Sequence, residues 1–428
     1  MTPRDAPRTD VTSVYICCWS LRDPLCQTQT LAYLRGLTAE GHRFALVTFE
    51  YAQYAMSRQE RAVAAAELEA IGIYWYPVPY QRLPPLLRKT IVVANTVALG
   101  AYATLRHRAR IMHARSAAPA AIAILLSRLF RLSFLYDSDT EVSQELVDIA
   151  RWQRESPRHK LLVRCERLAR DLSDSTIVLT DYMRERFREE AQGSAPVTVI
   201  PCCVDADRFR FDATKRELRR RELGLTDERQ RLFVYVGKIG GWYLVDETFE
   251  LFKVARERVG PSRLLVLSPD PPQAFRAIAE RHGVPPEAYE VRSAPHHEVV
   301  EWLSAADVGL ALIAPFESKR GCSPVKVGEY LAVGLPVVIT RNIGDYSRWI
   351  HDERLGAVLA AETRPAYERA ADELVALWQE GDVLRERCRS AAEAHVSLAG
   401  VGVPRYRKVY DQLTRTESAP ARQGAGAT

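Results

Sequence analysis

Gly321–Thr340 reads GCSPVKVGEYLAVGLPVVIT. Ser323 and Pro324 have the chemistry of a helix N-cap and first position, and Gly334 that of a helix end. The apolar LPVVIT that follows reads as a buried strand. The helix therefore lies between two strands of a covered sheet. Lys326 is the odd residue: it falls in the first helical turn, where the macrodipole disfavours a cation. Either its ammonium points into water at a cost of about 0.3 kcal/mol, or the helix start holds an anion that the lysine helps to neutralise.

Working outward, the flanks repeat the same alternation. Before the stretch stand LFVYVGKIGG, RLLVLSPD, YEVRSAP and VGLALIAPF, separated by helical segments. The first half alternates SVYICCWS, RFALVTFE, IYWYPVPY, RIMHARS, SFLYDSD and STIVLT with helices expected near Thr28–Glu40, Pro84–Arg110 and His159–Leu172. Helices are also expected near Pro365–Val396 and Arg405–Leu413. Apolar strands alternating with helices predict α/β architecture with parallel sheets covered on both faces. A chain of 428 residues exceeds one ordinary core, and VTVIPCCVDADRF reads as the crossing between two doubly wound domains. The expected division is residues 1–200, residues 201–400, and a terminal helix with a disordered tail over residues 401–428. Ligands of such sheets bind at the carboxyl ends of the strands, here facing across a cleft.

Composition narrows the function classes. Hydrophobic content of 47% and charged content of 26% are those of a soluble globular protein. The N-terminal MTPRDAPRTDVTS carries no signal-peptide core, and no apolar run is long enough for a bilayer span. Eight cysteines without CxxC or Cys/His spacing fit reduced thiols in a cytoplasmic protein, with no metal site. The net charge of +5 lies wholly in residues 1–200. No acidic residue occurs between Glu69 and Asp137, yet that window holds Arg82, Arg88, Lys89, Arg106, Arg108 and Arg128 among its cations. Such a basic, apolar surface predicts contact with an anionic membrane, peripheral at its inner face, or with a phosphate-bearing acceptor. No nucleic-acid module or stacking pattern accompanies the charge.

Glu329 stands one and a half turns into the helix, where a carboxylate can accept hydrogen bonds from a ribose diol while the helix start cradles phosphate. The segment EYLAVGLPVV (residues 329–338) resembles the signature of GT-B nucleotide-sugar glycosyltransferases, in particular glycosyltransferase family four, whose motif is E-x7-E. The resemblance implies two Rossmann-like domains and transfer of a sugar with retention of anomeric configuration. It assigns the diphosphate to backbone around Ser323, Pro324, Val325 and Lys326, and the ribose to Glu329. The first Glu of the motif is absent: Gly321 occupies its position, and Glu317 is four residues out of register. In YVGKIGGWYLVDETFELF, Gly237 and Lys238 fall where the family points a cation at the diphosphate, while its second basic pair is Trp242–Tyr243 here.

On the acceptor side the resemblance places Gln27 and Thr28 in the first loop and helix. His113 and Arg115, in IMHARS, align with the strand that carries a His near the reacting sugar. Together with Lys238 and Lys326 they are the catalytic candidates. In YDSDTEVSQELVD, Asp139 and Glu145 are expected to bind sugar hydroxyls; helix capping explains the same carboxylates. No cofactor is implied beyond the co-substrate, a nucleoside diphosphate sugar expected to be UDP- or GDP-linked. The acceptor is a glycan, a lipid-linked or a small molecule. Two other functions fit the pattern: a nucleotide-sugar epimerase or phosphorylase, and a catalytically degenerate membrane-associated binding protein.

Overall fold

Strands apolar on both faces leave helices as their only cover, and the chain supplies one after nearly every strand. The computed structural model describes residues 10–80, 82–190, 195–227 and 229–416. In it β1 (Ser13–Cys17), β2 (Phe44–Phe49), β3 (Ile73–Val78), β4 (Ile111–Arg115), β5 (Ser133–Ser138), β6 (Ser175–Val178) and β7 (Val197–Val199) form one parallel sheet, ordered β3-β2-β1-β4-β5-β6-β7. A second parallel sheet holds β8 (Arg231–Val236), β9 (Ser262–Leu267), β10 (Tyr289–Arg292), β11 (Val308–Ala311), β12 (Val337–Thr340) and β13 (Gly356–Leu359), ordered β10-β9-β8-β11-β12-β13. Strand order reverses between β1 and β4, and again between β8 and β11. These switch points open crevices at the carboxyl ends, where ligands of doubly wound sheets bind.

Several boundaries differ from those read in the sequence. The first helix begins at Pro24, because the Asp23 side chain accepts from Leu25 N at 2.9 Å. It passes through a π-helical turn at Gln27–Leu31 before continuing to Ala39. The helix expected over Pro365–Val396 is two, Arg364–Trp378 and Asp382–Val396, broken where Gly381 adopts φ 59°. The last helix, Val403–Thr416, returns to the N-terminal sheet. There Tyr406 lies 5.0 Å from the Tyr33 ring and Tyr410 lies 5.5 Å from Phe44. Outgoing and returning chains pair where they cross, Val204 N donating to Val396 O and Leu398 N to Val204 O, each at 2.8 Å. The tail 417–428, read as disordered, lies outside the described residues. Among the described residues no helix is long and apolar enough to cross a membrane.

Candidate active site

The helix of the opening stretch runs Val325–Val333 and ends at Gly334 with φ 87°. Pro324 holds the cap position; Ser323 does not cap, because its Oγ accepts from Cys202 N at 3.0 Å on the interdomain crossing. From Lys326 to Val333 the helix is buried between β11 and β12, and it sits against the carboxyl end of β8, where Tyr330 Oη accepts from Val236 N at 2.9 Å. That contact brings Lys326 beside Gly237. A Cβ on Gly237 would lie 2.9 Å from Tyr235 Oη and 3.3 Å from Lys326 Nζ, so only glycine leaves room there.

Lys326 is 7% exposed, and among the described residues its Nζ has no hydrogen-bond partner. The ammonium stands over the rings of Tyr243, at 4.1 Å, and Tyr235, at 4.7 Å. Burial without a counter-ion lowers its pKa to about 7. An ammonium buried without a partner would be stabilised by an anion brought to it. Glu329, 6% exposed, meets His296 Nε2 at 3.0 Å and faces an interdomain cleft of about 840 Å³ that Gln27, Thr28 and Val325 also line. The Gln27 amide donates to Leu21 O at 2.6 Å and the Thr28 hydroxyl to Pro24 O at 2.8 Å. Lys238 is exposed on the loop after β8, its carbonyl accepting from Tyr235 Oη at 2.7 Å.

At Gly321, in the position of the motif's first Glu, an added Cβ would stand 2.8 Å from Met183 Cγ, so a larger side chain requires Met183 to move at the interdomain contact. Glu317 does not take its place: it accepts from Tyr182 Oη at 2.6 Å and pairs with Arg320 at 3.2 Å. The residue that sequence reasoning missed is Lys319. It is 3% exposed, its Nζ lies 3.2 Å from Glu145 Oε2 of the opposite domain, and it sits 3.5 Å over the Trp242 ring. Trp242 and Tyr243, adjacent rings 5.8 Å apart, thus each carry one buried lysine. The resemblance sets them where the family carries its second basic residue. The sequence holds no local sign of Lys319, since its partner is 174 residues away.

His113 and Arg115, read as catalytic candidates, are placed differently. His113 is wholly buried, with Nδ1 2.6 Å from Tyr410 Oη. Arg115 pairs with Asp137 at 2.6 Å, and Tyr406 Oη donates to the same carboxylate oxygen at 2.5 Å. Burial raises the Asp137 pKa, but Arg115, His113 and Tyr406 together hold it below the usual range. These groups tie the returning helix to β4 and β5, while His113 Nε2, Arg115 Nε and Asp137 Oδ1 have no hydrogen-bond partner among the described residues. Asp139, one residue past β5, is a different case: burial raises its pKa to about 6, and Arg115 Nε is 3.9 Å away. Among the described residues no group of three His, Cys, Asp or Glu side chains is arranged to hold a metal.

Residues 26–203 match the family model described as glycosyl transferase 4-like domain, and residues 230–379 match that of glycosyl transferases group 1. The chain belongs to the GT-B glycosyltransferases of the family-four type. No curated protein sequence matches it. Among solved structures, the glycosyltransferase resembles sucrose-phosphate synthase from Thermosynechococcus elongatus at 14% identity and TM-score 0.70, covering 96% of this chain and 100% of that one. It resembles HepE of Anabaena, solved with UDP and glucose, at 12% identity and TM-score 0.66, covering 95% and 99%. WaaG, a glycosyltransferase of lipopolysaccharide biosynthesis, is similar at 18% identity and TM-score 0.65, covering 94% and 99%. At these identities the likeness carries the fold. The residues at the switch points are this glycosyltransferase's own.

Proposed function

We propose that the glycosyltransferase takes its sugar from a nucleoside diphosphate donor, UDP- or GDP-linked, and transfers it with retention. The observation that carries this is the partnerless Lys326 at the buried helix start, which fits a diphosphate and leaves Glu329 within the same helix for the ribose. Gly237 admits the phosphates close to backbone, and Lys238 approaches from the solvent side. With these cations on the leaving group, the bond from the anomeric carbon to the β-phosphate oxygen breaks with its electron pair on that oxygen. The acceptor hydroxyl adds from the same face and passes its proton to the departing phosphate, so neither an enzyme nucleophile nor a further cofactor is required. Asp139 and Glu145 line the acceptor side, whereas His113 and Arg115 act by holding the strand ends in place. The acceptor is a cytoplasmic glycan, a small molecule, or a lipid-linked sugar at the inner membrane face.

Thermal shift against UDP, GDP, dTDP and ADP tests the donor site, with wild type beside Glu329→Ala. Stabilisation by one of them that Glu329→Ala abolishes is the expected result. Equal silence toward all four in the wild type overturns the donor reading.

A further inference from the structure

The acid-free window folds into two of three neighbouring helices on one side of the N-terminal sheet: Pro85–His107, Ala117–Phe130 and Pro157–Asp171. About half of the large hydrophobic side chains exposed among the described residues stand on these three. On the first, Leu87, Ala94, Ala98, Tyr102 and Leu105 form an outward stripe, all of them exposed. Leu105 is 64% exposed, Leu129 of the second helix 66% and Leu161 of the third 64%. A helix facing water ordinarily carries mixed charges on its outer side. Here the outer side pairs leucines with cations: Arg108, Arg128 and Arg131 around the first two helices, Arg164 and Arg167 on the third, all exposed. The acid at Glu166 turns inward, accepting from Ser143 N at 3.0 Å.

From this placement we infer that the three-helix face docks on the headgroup region of an anionic phospholipid bilayer, leucines inserted and arginines on the phosphates. Charge chooses the occupant. A second copy of the chain would oppose arginine to arginine, whereas an anionic surface complements them. Position gives the docking a use: helices of a parallel sheet begin at the carboxyl ends of the strands, so all three start at the cleft rim. A docked enzyme presents its acceptor side at headgroup depth. This assignment rests on the proposed membrane-face acceptor only for its purpose; lipid binding itself needs neither donor nor acceptor.

Sedimentation with phosphatidylcholine vesicles, with and without phosphatidylglycerol, reads the binding directly at physiological salt. The wild type is expected to bind the anionic vesicles and to bind pure phosphatidylcholine about tenfold less or weaker still. Two double variants, Leu105→Glu/Leu129→Glu and Arg128→Glu/Arg164→Glu, should each lose about tenfold or more while keeping the wild-type melting temperature. Equal partition into both vesicle types, no binding at all, or either folded variant binding like wild type overturns the proposal. So does light scattering that shows a wild-type dimer dissolved by the leucine changes, which would hand the face to a second copy. Any of these leaves sugar transfer standing, and loss of transfer alone leaves the docking face standing.

Discussion

At Lys319 the sequence offers a lysine in an unremarkable loop, and the fold makes it a buried cation shared between two domains. Its ammonium balances Glu145 across the cleft while lying on Trp242. If a diphosphate reaches the neighbouring Lys326, its second phosphate competes with Glu145 for Lys319. Lys319→Met should therefore weaken UDP binding about tenfold, on the scale of one charge-assisted hydrogen bond, and leave uridine binding unchanged. Glu145→Gln should tighten UDP binding, because it removes the competitor. A pair serving only to latch the domains would give the opposite sign for Glu145→Gln, and calorimetric titration with both ligands separates the two. Lys326 and Glu329 were legible in the sequence because cap, helix period and strand lie within twenty residues of one another. Lys319 and Glu145 were not, since only the closing of two domains makes them a pair.

The Val325–Val333 helix works as a unit because small residues let it sit deep. At Gly328 an added Cβ would stand 2.9 Å from both Tyr346 Oη and Val204 Cγ1, so the helix packs directly on the interdomain crossing. Gly334 ends it in the left-handed region, where an added Cβ would collide with the Arg385 side chain and lie 3.0 Å from its carbonyl oxygen. Gly334→Ala should destabilise the protein by about 2 kcal/mol, from left-handed strain and this collision together, measured by urea unfolding. Gly321→Glu would restore the motif on paper; instead it should lower the melting temperature and transfer activity together, because the new side chain meets Met183. Element types followed from periodicity and turn residues. The π-helical turn at Gln27–Leu31 and the break at Gly381 did not, since backbone geometry at single residues decides them.

Across the whole molecule, the returning helix makes the N-terminal domain depend on the last residues of the chain. His113 and Tyr410 are 297 residues apart in sequence and 2.6 Å apart in space. No local pattern announces such a contact, so the sequence alone does not show that His113 and Arg115 pack under the returning helix. Asp137→Asn should leave Arg115 buried without its counter-charge and cost about 3 kcal/mol. Nucleotide affinity should not change, because the proposed diphosphate site lies on the other domain. A loss of affinity equal to the loss of stability would return the cluster to the active site. The doubly wound architecture itself was legible, since it needs only apolar strands alternating with helices.

On the proposed reading, the helix start at Lys326 binds the diphosphate of the donor. Lys326, with a pKa of about 7 when buried alone, is mostly neutral at pH 8, and a bound diphosphate should recharge it. Without nucleotide, the same depression makes the folded state costlier below pH 7 and relieves that cost as pH rises toward the ordinary lysine range. UDP titrated calorimetrically at pH 8, in buffers of different ionisation enthalpy, counts the protons taken up. Wild type should take up a measurable fraction of a proton, at most about one per nucleotide, and Lys326→Met none, with affinity lower by about tenfold or more. No uptake by the wild type, or the same uptake in Lys326→Met, would contradict the claim.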